Sequence, residues 1–120
     1  VMGVGAAALV LETYEDAIER GANIYAEIIG FGESGDAYHI TTPSLDGPAR
    51  AMKAAYKMAG EPKIDYVNAH GTSTPINDKN ETLALKELLG GKENCPPMSS
   101  IKGQIGHCLG AAGGIEAVTC

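Results

Sequence analysis

With 120 residues, 44% of them hydrophobic, the chain is at most one domain long and has enough apolar side chains for a packed core. No apolar run approaches the ~20 residues that a membrane-spanning helix needs, and the opening Val1-Met2-Gly3 has neither the basic start nor the cleavage site of a signal peptide. The net charge of −6, with Arg20, Arg50, Lys53, Lys57 and Lys63 scattered among acids, argues against nucleic acid. Cys95, Cys108 and Cys120 are odd in number and lack Cys-x-x-Cys spacing, which fits reduced thiols in the cytoplasm and neither a disulfide framework nor structural zinc. The first residue is not methionine and Cys120 falls inside a helical pattern, so a piece of a longer protein is expected.

Taken in chain order, Ala6 to Glu12 is a short apolar run that reads as a buried strand. Tyr14 to Arg20 reads as a short helix stopped by Gly21. Ile24 to Phe31 reads as a second strand, and Glu33 to Asp46 as a polar loop. Gly47-Pro48 opens a helix to Ala59, whose Met52, Ala55, Tyr56 and Ala59 form one apolar stripe. Ile64 to Ala69 is a strand that ends at His70. Asp78 to Leu89 is a helix, with Asp78 and Glu81 as a capping-box-like pair and Leu85, Leu88 and Leu89 on the buried face. Pro97 to Ser100 is a short strand, and the glycine-rich Gly103 to Gly114 leads into a helix from Ile115. Strands alternating with helices predict an α/β layer structure.

Two segments carry the chemistry. In Asn68-Ala69-His70-Gly71-Thr72-Ser73-Thr74-Pro75 a strand delivers an imidazole to a sheet's C-terminal edge, the side where open α/β sheets bind ligands. A histidine satisfied within a turn is the plainer alternative. In Ser99 to Gly113 a strand again feeds a small-residue turn that lets backbone approach a ligand, and His107 lies in it. Lys102 and Glu116 flank this histidine in sequence; they are either a buried pair that sets the charge around the imidazole or two solvated surface residues.

Together the two segments resemble the first-histidine motif and the lysine-plus-second-histidine motif of the beta-ketoacyl-acyl-carrier-protein synthases, in the same order and spacing. Ser34-Gly35-Asp36-Ala37-Tyr38-His39-Ile40-Thr41 is similar to the type II elongating enzymes of bacterial fatty-acid synthesis. The resemblance implies a thiolase-like fold, with residues 1–33 ending the N-terminal half and residues 34–120 forming most of the C-terminal half. It also implies a homodimer when full length, and acyl carrier protein as the partner that bears malonyl and acyl groups on its phosphopantetheine arm. No separate cofactor and no metal is implied. His70 and His107 correspond to the histidines at the malonyl thioester oxygen, Lys102 to the active-site lysine and Glu116 to the acid near it. Thr72 and Thr74 correspond to residues that contact the pantetheine arm, turn formation being their plainer reading. Asp36 and His39 are read as loop structure.

Decarboxylation of a malonyl thioester makes an enolate, so negative charge grows on the thioester oxygen. Two neutral imidazole N–H donors would stabilise it as an oxyanion hole does, at about 3–4 kcal/mol each. His107 precedes the start of the last helix, a position that favours the neutral ring. None of the three cysteines lies in the elbow that a nucleophile needs, so the nucleophile is expected upstream of Val1 and the piece alone is expected to be inactive. Gly3-Val4-Gly5 stands where the family often has Gly-Glu-Gly, and Lys102-Gly103-Gln104 where it often has Lys-Ser-Met. The glycines at 3 and 5 precede a strand rather than following one, which excludes a dinucleotide site. A polyketide synthase domain and a non-catalytic relative that only binds acyl carrier protein are the competing readings; His70, Lys102 and His107 occurring together argue against the second.

Overall fold

The computed structural model describes all 120 residues. Five helices and one small parallel sheet make up its regular structure: α1 Tyr14–Glu19, α2 Asp46–Met58, β1 Val67–Asn68, α3 Pro75–Leu88, β2 Met98–Ser99, α4 Lys102–Ile105 and α5 Ala112–Thr119. None of the helices is long and apolar enough to cross a membrane.

The helices begin and end where local chemistry dictates. Thr13 caps α1 by accepting the Asp16 N–H at 3.2 Å, and Gly21 leaves it at φ +70°. In α2 the expected stripe of Met52, Ala55, Tyr56 and Ala59 is the half-buried side, and α2 packs against α3. On α3, Ala84 and Leu85 are buried while Leu88 and Leu89 are half-buried.

Helix α3 starts earlier than expected. Pro75 occupies its first turn, where a missing N–H costs nothing. Asp78 and Glu81 are therefore not a capping pair; both carboxylates turn back onto the loop before the helix. The last helix likewise begins at Ala112, not Ile115, and between β2 and His107 lie the single turn of α4 and a glycine rather than a direct strand-to-turn step.

The two strands pair in parallel, Val67 with Met98 and Asn68 with Ser99, and the flanking bonds Val67 N–H to Pro97 O (3.0 Å) and Ala69 N–H to Ser99 O (2.8 Å) extend the contact. Parallel neighbours need a crossover, and α3 supplies it. Both strands end on the same edge, so His70 and Ser100 emerge side by side.

The runs Ala6 to Glu12 and Ile24 to Phe31 form no strands. Apolar composition suits a strand, but a strand exists only when its N–H and C=O groups are paired, and nothing in the chain pairs with these. They lie across helices instead. A Cβ on Gly32 would fall 2.1 Å from Ala51 O, and one on Gly30 2.4 Å from Ala55 O, so the second run presses directly on α2. The chain start joins the His107 turn through one parallel bridge, Gly3 N–H to His107 O (3.0 Å) and His107 N–H to Val1 O (2.9 Å).

Candidate functional site: two histidines around a buried lysine

The tertiary structure brings His70, His107, Lys102 and Glu116 into one cluster. The two imidazoles stand edge to face, centroids 5.2 Å apart and planes at 85°. Between His70 and Glu116 lies Lys102, whose side chain is only 4% exposed; its ammonium is paired with the Glu116 carboxylate, itself 15% exposed. Of the two readings left open for Lys102 and Glu116, the buried pair is the one the fold adopts. An ammonium this enclosed is stable only with such a partner.

Lys102 also fixes the tautomer of His70. Its Nζ is 3.2 Å from His70 Nδ1. An ammonium has no lone pair to offer, so Nδ1 accepts and the ring proton sits on Nε2. His107 reaches the same state by another route. The backbone N–H of Leu109 donates to His107 Nδ1 at 3.1 Å, which requires a bare Nδ1 and a protonated Nε2. That donor comes from the turn leading into α5. Two neutral rings thus present two Nε2–H donors.

Electrostatics favour the neutral form of His70. Partial burial lowers its pKa below the ordinary histidine value, and the Lys102 charge lowers it further. The Glu81 carboxylate pulls the other way, His107 adds a smaller lowering, and Glu116 a smaller rise.

Glu81 is the residue that sequence reasoning missed. It is buried at 8% exposure and accepts the N–H of His70 at 2.6 Å and of Gly71 at 2.9 Å. The available signal was the carboxylate's place two turns into a helix, too deep for a cap once Pro75 is taken as the helix start. Ser100 completes the frame: its hydroxyl donates to His70 O at 3.3 Å and accepts the Lys102 N–H at 3.3 Å. His70 is therefore held at its backbone N–H, its carbonyl and Nδ1.

The turn itself is unusual. Gly71 has φ +48° and Ser73 φ +63°, the latter a left-handed conformation worth about 1–3 kcal/mol of strain in a non-glycine residue. Asp78 steadies it by accepting the Ser73 N–H at 3.2 Å. Thr72 and Thr74 lie on this turn with hydroxyls 3.0 Å apart, and neither hydroxyl is spent on backbone. Asp36 lies elsewhere and binds both the N–H (2.7 Å) and the hydroxyl (2.6 Å) of Ser44, which organises the 34–47 loop. His39 accepts the Thr41 N–H at 3.2 Å. Both are loop formers, as expected. Among the cysteines, Cys108 is buried with Sγ toward Ile105 O, and Cys95 donates to Gly91 O.

Comparison with known proteins places this geometry. Residues 25–120 match the beta-ketoacyl synthase, C-terminal domain family. The 3-oxoacyl-[acyl-carrier-protein] synthase 2 of Staphylococcus aureus is 56% identical over 98% of the chain, and nodulation protein E of Rhizobium sp. (strain N33) is 48% identical over all of it. The chain spans 30% of the length of each. Among solved structures, the ishigamide ketosynthase/chain length factor superposes with a TM-score of 0.91 at 43% identity, over the whole chain and 30% of that protein. A type II PKS acyl-carrier protein in complex with its ketosynthase bound to the hexaketide gives 0.82 at 42% identity, over 90% of the chain and 28% of that protein. These likenesses carry the thiolase-like fold that the motifs implied. The two histidine turns, the buried lysine and the family match lead to one conclusion: the chain belongs to the beta-ketoacyl synthase family, and residues 25–120 match that family's C-terminal domain.

Proposed function

We propose that this chain supplies the malonyl-handling side of a 3-oxoacyl-acyl-carrier-protein synthase, an acyltransferase that elongates fatty acids by decarboxylating Claisen condensation. The supporting observation is the pair of adjacent neutral imidazoles, each with Nδ1 engaged and Nε2–H free. In this reading malonyl-acyl-carrier protein places its thioester oxygen against the two Nε2–H groups. The bond between the malonyl carboxylate and the α-carbon breaks, carbon dioxide leaves, and the electron pair passes to the thioester oxygen as an enolate. His70 and His107 hold that charge without surrendering a proton. The enolate carbon then attacks an acyl group carried as a thioester on a cysteine outside these residues and expels the thiolate. Lys102 and Glu116 set the tautomer and charge of His70, and the Thr72 and Thr74 hydroxyls receive the pantetheine arm. The working enzyme in this reading is a cytoplasmic homodimer.

The 56% identity to the Staphylococcus aureus synthase favours fatty-acid elongation. A polyketide ketosynthase is the second reading, favoured by the structural likenesses at 43% and 42% identity. Both readings release a β-ketoacyl product, and the acceptor separates them: the first extends saturated acyl thioesters, and the second extends chains that already carry β-keto groups.

The test is His70→Ala and His107→Ala in the full-length enzyme. Each is expected to slow malonyl decarboxylation by about 10²- to 10³-fold while acyl transfer to the cysteine continues. Decarboxylation at the wild-type rate in either variant would remove the donor role from that histidine. The pKa of His70 is lowered by burial and by the Lys102 charge. His70 is therefore expected to take up its second ring proton below the usual histidine range, which the C2-proton NMR titration of that ring checks.

A further inference from the structure

The outer face of α2 carries charge that the fold does not use. At about 100° per residue, Arg50, Lys53 and Lys57 fall in one row on the helix, opposite the apolar stripe of Met52, Ala55, Tyr56 and Ala59. All three cations are exposed. The one acid on the helix, Asp46, is taken by Arg50 at 2.7 Å. Lys53 and Lys57 enter no ion pair. Helix stability does not ask for this row. Like charges four residues apart, as Lys53 and Lys57 are, weaken a helix, whereas opposite charges at the same spacing strengthen it. Lys57, in the last turn, is favoured by the carbonyl end of α2, but Lys53 in the middle is not.

The row also begins close to the histidine turn. The last turns of α2 and α3 meet ahead of β1, where Tyr56, Ile64 and Leu88 line one cavity. Their first turns therefore lie together at the other end of the sheet, the edge where His70 emerges. Three bonds tie them there through the 34–47 loop. Arg50 Nη2 donates to Gly35 O at 2.8 Å, Ser34 Oγ to Gly47 O at 2.5 Å, and Asn80 Nδ2 on α3 to Pro43 O at 3.1 Å. Helix α3 itself begins at the Thr72–Thr74 turn. From this head the row runs for about 10 Å, at 1.5 Å per residue from Arg50 to Lys57.

We propose that the row of Arg50, Lys53 and Lys57 is a docking surface for the acidic face of the acyl carrier protein that delivers the malonyl group. The proposal deepens the function given above and rests on it. Carboxylates of the carrier would meet cations that nothing in this chain neutralises, on the side of the molecule where the pantetheine arm enters. Charge of this kind governs encounter and orientation and leaves the chemical step alone. Lys53 and Lys57 supply the free charge, while Arg50 also braces the loop.

The test uses the double variants Lys53→Glu/Lys57→Glu and Lys53→Gln/Lys57→Gln in the full-length enzyme, with Arg50 kept. Two substrates for decarboxylation are compared: malonyl-acyl carrier protein, and malonyl-pantetheine, which has the arm without the protein. In the charge-reversed variant, KM for malonyl-acyl carrier protein should rise by about 10-fold, the size that two exposed charge pairs amount to. Its kcat at saturation and its KM for malonyl-pantetheine should stay at the wild-type values. The neutral variant should show a smaller rise in the same direction, and it carries the test if the charge-reversed one does not fold. Added salt should bring the wild-type KM for the carrier substrate toward that of the neutral variant, because exposed charges are screened.

A wild-type KM for malonyl-acyl carrier protein in these variants would overturn the proposal, as would equal rises for the two substrates. If the wild-type enzyme decarboxylates neither substrate, the function given above fails. Calorimetric binding of the carrier protein to wild type and variants then still decides whether the row docks it.

Discussion

Residues 1–33 and residues 64–119 differ in where their partners lie. In the second region the polar groups around His70 are answered from within the chain: Glu81 takes two N–H groups, Ser100 the carbonyl, Lys102 the ring nitrogen, and Glu116 the lysine. In the first region Ala17 is the one buried residue, while Leu11, Tyr25, Ile28 and Phe31 are 69%, 94%, 69% and 62% exposed. The donor geometry of His70 needs only a few side chains, and the fold brings all of them together from within this region. Burial of apolar surface is a property of the whole fold, and this chain spans 30% of the length of its relatives.

The comparison can be broken most severely by studying the 120 residues alone. Exposed apolar runs of this extent drive association, so the isolated chain is expected to bind a hydrophobic dye and aggregate, with no cooperative thermal transition. A soluble monomer with a sharp calorimetric transition would show that residues 1–33 need no outside partner. A smaller but still large effect is expected within the second region. Lys102→Ala strands the Glu116 carboxylate in a buried place and should cost about 3–5 kcal/mol of stability in the full-length enzyme, measured by urea unfolding. It should also free His70 Nδ1 and so mix the tautomers. Unchanged stability would mean that water reaches Glu116 freely.

The smallest expected effect joins the two regions. Gly3 is bonded to the His107 turn, and a Cβ there would lie 2.2 Å from Ile105 O. Gly3→Ala should therefore cost about 1–3 kcal/mol, as overpacking does, and should lower decarboxylation by displacing His107. A variant with normal stability and rate would show that the bridge to the chain start is dispensable.

Read alone, the sequence determined α1, α2, the body of α3 and the pair of histidines. The apolar stripe on α2, Thr13 before α1 and the glycines that stop helices act over three or four residues, so composition and spacing reveal them. The two histidine motifs are long enough to indicate the family without coordinates. Tertiary structure decided the rest. Whether Ala6 to Glu12 and Ile24 to Phe31 become strands depends on partners that propensity does not supply. The start of α3 was misplaced because Asp78 and Glu81 fit a local capping pattern, yet the fold turns both carboxylates onto the histidine turn instead. The free nitrogen on His70 is set by a lysine 32 residues away, held by a glutamate 14 residues beyond that. Such choices follow from charge brought together across the fold, where burial makes each unpaired group costly, and no local pattern records them.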